Sequence, residues 1–141
     1  MLTWNLFLER LKVKAPSSTN AKKGMAQSWL AIGAGVKGVS YSFVITGSEM
    51  RVNVAFDSSD RNLNEARFDQ LKTNASSIEE KFGDQLNWYH PPNNKAALVR
   101  YSSPANFDSE SSWDTYIDWM ISSFIKLREA VLGDLGNLKD N

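Results

Sequence analysis

Between Trp29 and Asp57 the chain alternates apolar and polar side chains with a period of two. Val39, Tyr41, Phe43 and Ile45 interleave with Ser40, Ser42, Val44 and Thr46; after Gly47-Ser48, Met50, Val52, Val54 and Phe56 alternate with Glu49, Arg51, Asn53 and Asp57. A period of two sends successive side chains to opposite faces, so each run reads as a strand with one buried face. Trp29 to Ile32 forms a shorter apolar run ahead of them. The stretch therefore predicts three consecutive antiparallel strands. The connection Gly47-Ser48 suits a type I′ or II′ turn, because glycine reaches positive φ without steric cost.

Elsewhere the period is helical. Trp4, Phe7, Leu8 and Leu11 share one stripe between Thr3 and Lys14, and Thr3 is an acceptable N-cap. Phe68, Leu71, Ala75, Ile78 and Phe82 recur at three- and four-residue steps between Asp60 and Phe82, and Gly83 supplies a stop. Asn74-Ala75-Ser76-Ser77 is a weak point that allows two abutting helices. Leu86 to Tyr89 and Ala96 to Tyr101 read as a second hairpin around His90-Pro91-Pro92-Asn93-Asn94-Lys95, and Ser102 to Ser111 as a polar connection. From about Ser112, the positions Trp113, Ile117, Met120, Phe124, Leu127 and Val131 predict a long final helix, ended by Gly133 and Gly136.

A length of 141 residues suits one domain with its own core. Within it, residues 15–27 read as a mobile loop, broken by Pro16 and Gly24, and residues 134–141 as a polar tail. The absence of cysteine excludes disulfides, thiolate metal sites and thiol catalysis. No apolar run approaches the roughly 18 residues of a membrane span, and the first dozen residues do not have a signal-peptide pattern, so the expectation is a cytoplasmic location without membrane. The formal net charge is zero but unevenly spread. Up to Ser40, Arg10, Lys12, Lys14, Lys22, Lys23 and Lys37 face only Glu9. That is either a basic arm for nucleic acid or a solvated helix end and loop.

Three motifs touch chemistry. Gly33-Ala34-Gly35-Val36-Lys37-Gly38 matches G-x-G-x-x-G, but a dinucleotide fold needs those glycines to open a helix, and here they lead into a strand. A glycine-rich bend between strands is the better reading. Glu79-Glu80-Lys81 carries the E-x-K letters of a metal-dependent nuclease site, yet it falls on a helix, where it reads as a solvated face. The lone His90 stands before two prolines with no nucleophile placed beside it by a motif.

The Trp4-to-Lys12 helix, Trp29 with the Gly33-to-Gly38 loop, the Val39-Ser40-Tyr41 strand ending in Ile45-Thr46-Gly47, the Phe82-Gly83 stop with Leu86-Asn87-Trp88, and Trp113 opening the last helix together resemble the domain of unknown function 4268. The likeness spans nearly the whole chain. It implies an association with nucleic-acid processing or defence, since that domain often follows a restriction-endonuclease-like nuclease domain. The resemblance brings no active site across, and a chain of this length is expected to lack room for that nuclease domain, so no nuclease activity is expected of it.

The expected fold is a single α+β domain in the order α-β-β-β-α-β-β-α, with an antiparallel sheet of about five strands packed on helices. The expected function is a non-enzymatic accessory or recognition module with nucleic acid or a nuclease or defence protein as partner. Its binding surface would draw on Lys22, Lys23, Lys37, Ser40, Ser42, Arg51, Asn53 and Arg100. No catalytic residue, metal or cofactor is assigned. One alternative is a protein-interaction module, including a homo-oligomer. The other is a small-molecule binder or enzyme with a pocket between sheet and helices, near Tyr41, Trp88 or His90.

Overall fold

The computed structural model describes residues 4–14, 29–106 and 110–138. The expected loop at 15–27, with Lys22 and Lys23, and the last three residues of the expected tail lie outside the described residues.

The elements follow the predicted order. Helix α1 is Trp4–Lys14, then come strands β1 (Trp29–Gly33), β2 (Val39–Ile45) and β3 (Glu49–Phe56). The middle helical stretch divides into α2 (Arg61–Lys72) and α3 (Ala75–Phe82), followed by β4 (Asn87–Tyr89), β5 (Ala97–Pro104), a single 3₁₀ turn and α4 (Trp113–Gly136). The strands form one antiparallel sheet in the order β1-β2-β3-β5-β4. The three-strand meander is thus continued by β5, and the short β4 lies at an edge.

Strand register explains which face the helices cover. Tyr41, Val54, Val99 and Trp88 fall in one cross-strand row, and Phe43, Val52 and Tyr101 in the next. Every helix reaches this face through an aromatic ring. Phe7 of α1 meets Phe43 edge-on at 4.6 Å, and Phe124 of α4 meets both Tyr41 and Phe43 at 5.1 and 5.4 Å. Phe68 of α2 packs on Phe56 at 6.3 Å, and Phe82 of α3 on Tyr101 at 4.7 Å. Edge-to-face pairs of this kind add about 0.5–1.5 kcal/mol each beyond the area they bury. One core results, with Phe7, Phe43, Phe56, Phe82 and Phe124 almost wholly enclosed.

Local chemistry sets the element ends. Asp60 accepts hydrogen bonds from the Asn62 and Leu63 backbone N–H groups at 3.0 and 3.2 Å and so caps α2. Gly83 takes φ 96°, and its N–H donates to the Glu79 carbonyl at 2.8 Å, closing α3 as expected. Helix α4 runs through Gly133 and ends at Gly136, because Leu135 is still drawn into the core at 2% exposure. Strand β5 extends to Pro104, beyond the expected Tyr101, since β3 offers backbone partners as far as Glu49.

The turn between β2 and β3 differs from expectation. Gly47 is not in the left-handed region, so the turn is neither type I′ nor II′. The Thr46 hydroxyl takes over instead, accepting from the N–H groups of Ser48 at 3.3 Å and Glu49 at 3.0 Å. A side chain that mimics a backbone acceptor can close a turn without a glycine-specific conformation.

Candidate functional site

With all four helices on one face, the opposite sheet face carries no helix among the described residues. Ser42, Asn53, Arg100 and Asn87 form one row across this face, and Ser40, Ala55, Leu98 and Tyr89 the adjacent row. Asn53 is only 3% exposed. Its Nδ2 donates to Ser42 Oγ at 3.0 Å, while its Oδ1 and the neighbouring Ser40 Oγ are buried without a hydrogen-bond partner. Turning the amide end for end would only exchange which end is unpaired. A buried polar atom left unpaired costs about 1–3 kcal/mol, so these two enclosed atoms are a cost this face carries, and the surface a partner could meet is made by Arg51, Arg100 and Asn87 around them.

Two cations flank them. Arg100 lays its guanidinium 3.8 Å over the Tyr89 ring and donates from Nε to Asn87 Oδ1 at 3.1 Å, which fixes its planar head on the surface. Arg51 lies two residues from Asn53 on β3 and opposite Ser102, so it is a diagonal neighbour of Arg100. Glu49 on the same strand holds Arg51 in an ion pair. Ser40, Ser42, Arg51, Asn53 and Arg100 are therefore brought together as the sequence predicts.

Lys37 is not part of this group. It lies on the bend between β1 and β2, with its backbone carbonyl accepting from Arg67 Nη1 at 2.7 Å. The bend is closed by Ala34 N–H to Val39 O at 3.1 Å and Val39 N–H to Val36 O at 3.0 Å, and it leads into a strand as expected. Nor do the cations of α1 form a free arm: Arg10 pairs with Asp114, and Lys14 with Asp118 at 3.1 Å. Helix α4 neutralises these two.

Beside the bend lies a cleft of about 620 Å³. Gly35, Val36 and Lys37 form one wall, Ser58, Ser59, Asp60, Leu63 and Arg67 a second, and the end of α4 with Leu135, Gly136 and Leu138 a third. Two residues of α2 escaped the sequence reading, of which Arg67 lines the cleft. Arg67 is 3% exposed and Asn64 fully buried, both on the inward side of α2. Their signal was present, since positions 64, 67, 68 and 71 share one helical stripe and two of the four are polar. Asn64 accepts from the Ser58 N–H at 2.9 Å and the Ser58 hydroxyl at 2.7 Å, and its Nδ2 donates to the carbonyls of Ser58 and Lys95. It joins the β3–α2 link to the Pro-rich turn.

The other candidates have structural surroundings. Tyr41 is 3% exposed beneath α4 and is not among the residues lining the cleft, and burial pushes its phenol up to about 12. The rings of Trp88 and His90 pack against Phe68 at 5.9 and 5.6 Å, and Trp88 Nε1 and His90 Nε2 are buried without partners. Neither lines the cleft. Glu79 lies on α3 and accepts from the Leu86 N–H at 2.7 Å, so it helps turn the chain into β4. Among the described residues, no cluster of three or more His, Asp or Glu side chains is placed to hold a metal, and no helix is long and apolar enough to cross a membrane.

A family model described as a domain of unknown function, DUF4268, matches residues 3–133. Among curated proteins and among solved structures, none matches the chain.

Proposed function

The chain belongs to the DUF4268 family of domains of unknown function, and from that premise we propose that it is a non-enzymatic recognition module whose open sheet face takes a strand of nucleic acid. In this reading it serves nucleic-acid processing or defence as an accessory to a nuclease that supplies the chemistry. The observation that carries it is the row Ser42, Asn53, Arg100 and Asn87, with Arg51 diagonal to Arg100, on a sheet face that no described helix covers.

A nucleobase offers a flat body that can lie over small side chains. Ser40, Ser42 and Ala55 allow such a body close to the sheet. Arg51 and Arg100, diagonal neighbours, are spaced to take backbone phosphates, for which a guanidinium is well shaped. Other antiparallel sheets with helices on one side bind single strands over the open face in this manner. The protein-interaction alternative has less behind it. The exposed large apolar residues among those described, Val13 and Leu132, lie on different helices, and isolated residues of this kind are ordinary.

Fluorescence anisotropy of a labelled single-stranded oligonucleotide across a salt series tests the proposal. The expected result is binding at low salt that weakens as salt rises, with Arg100→Ala lowering the salt slope by about 1. No binding even at low salt would sink it.

A further inference from the structure

The cleft beside the glycine bend is a separate place on the molecule, and its argument does not depend on the sheet face. We infer that this cleft is a binding site for a small phosphorylated ligand with an apolar or ring-shaped body, of the size of a nucleoside monophosphate.

Size comes first. A volume of about 620 Å³ falls within the roughly 300–1,000 Å³ of small-molecule sites. The lining then mixes two chemistries. Val36, Leu63 and Leu135 are apolar, whereas Lys37, Ser59 and Arg67 are polar, so each wall of the bend and of α2 carries both kinds. That mixture suits a ligand that combines a charged group with a hydrophobic body.

Charge decides the sign of the ligand. Asp60 is the acidic residue of the lining, and its carboxylate is already engaged by the N–H groups of Asn62 and Leu63. The start of α2 is therefore satisfied by its own cap and is not the anion site. Lys37 and Arg67 stand against it with two positive charges. The Lys37 ammonium is exposed and has no acidic partner among the described residues. Arg67 is 3% exposed, and its Nη1 bond to the Lys37 carbonyl at 2.7 Å ties the guanidinium to the bend. A charge held out of water attracts an anion more strongly than one in bulk solvent.

The bend adds access. Gly35 has φ 84° and open space where a side chain would stand, so a ligand can approach the backbone directly there. Successive backbone N–H groups in such a bend form a concavity suited to anionic oxygens. A phosphate, with three such oxygens, can meet the lysine, the bend and the Ser59 hydroxyl together.

Backbone amide NMR of the full chain, titrated with adenosine monophosphate, adenosine and inorganic phosphate, tests this. Adenosine monophosphate is expected to give saturable shifts confined to residues 33–38, 58–67 and 135–138, phosphate alone a weaker subset, and adenosine alone still less. Lys37→Glu should weaken adenosine monophosphate roughly tenfold, the loss of one charge-assisted contact. Because Lys37 is exposed, an otherwise unchanged amide spectrum will show that the variant is folded. Absence of shifts at these amides in millimolar nucleotide overturns the inference, as do shifts elsewhere only, or binding that Lys37→Glu leaves intact.

Discussion

At the scale of single residues, Asn64 shows how a polar side chain can hold a fold together from inside. Its amide makes four hydrogen bonds, to the Ser58 N–H, hydroxyl and carbonyl and to the Lys95 carbonyl. Asn64→Leu keeps the branched outline but leaves backbone groups at Ser58 and Lys95 without partners, and it should cost at least about 2–3 kcal/mol, read as a lower urea midpoint. Tyr41 gives a pH prediction. Its folded value of about 12 lies above the ordinary 10.0, because burial beneath α4 disfavours the phenolate. A raised value means that the contribution is fully present below pH 10 and is lost as pH climbs through about 12. Tyr101 titrates in the same sense through its bond to Asp84, so only the difference between proteins isolates Tyr41. Urea midpoints from pH 9 upward should fall more steeply in the native protein than in Tyr41→Phe, by up to about 2 kcal/mol at the alkaline end.

Among elements, the two glycine turns of the meander look alike in sequence and behave differently in the structure. Gly38 has φ 82°, and a Cβ there would stand 2.8 Å from Ser58 Cβ. Gly38→Ala should therefore cost at least about 2 kcal/mol, from left-handed strain and the collision together. Gly47 has open space and no positive φ, so Gly47→Ala should be neutral or stabilising by up to about 1 kcal/mol. Paired thermal melts of the two variants would check the contrast. The difference marks how far sequence reasoning reaches at this scale. Alternation at Val39 to Ile45 and Met50 to Phe56 placed both strands, because one face of each must be apolar wherever the partner strands run. It could not choose the turn type, which depends on whether the Thr46 hydroxyl folds back onto Ser48 and Glu49. The same limit applies to the open face. Ser40, Ser42, Arg51, Asn53 and Arg100 were assignable to one side by parity alone. That Asn53 Oδ1 and Ser40 Oγ would be buried and unpaired depends on side-chain positions that parity does not contain.

Over the whole molecule, charge was the property least legible in the sequence, because counting cations along a segment says nothing about what packs beside it. The basic N-terminal portion suggests a free arm, yet Arg10 meets Asp114 and Lys14 meets Asp118 more than a hundred residues away. Both helices step by four residues between the two pairs, so the pairs stack along a shared α1–α4 seam. These side chains are substantially exposed, and bridges of that kind contribute about 0–1 kcal/mol each. Their larger effect is on the field, since each aspartate cancels a cation that would otherwise attract polyanions. Asp114→Asn with Asp118→Asn should therefore change stability little, by less than about 2 kcal/mol in a urea melt. The same double variant turns α1 into an uncompensated basic stripe, and its low-salt affinity for a single-stranded oligonucleotide should rise above that of the native chain and vanish as salt is added. An unchanged affinity would mean that α1 is too far from a polyanion held on the sheet face for its charge to be felt within a screening length of about 10 Å. The two outcomes differ because the native fold keeps other uncancelled cations away from this seam, among them Arg100 on the open sheet face and Lys37 at the cleft.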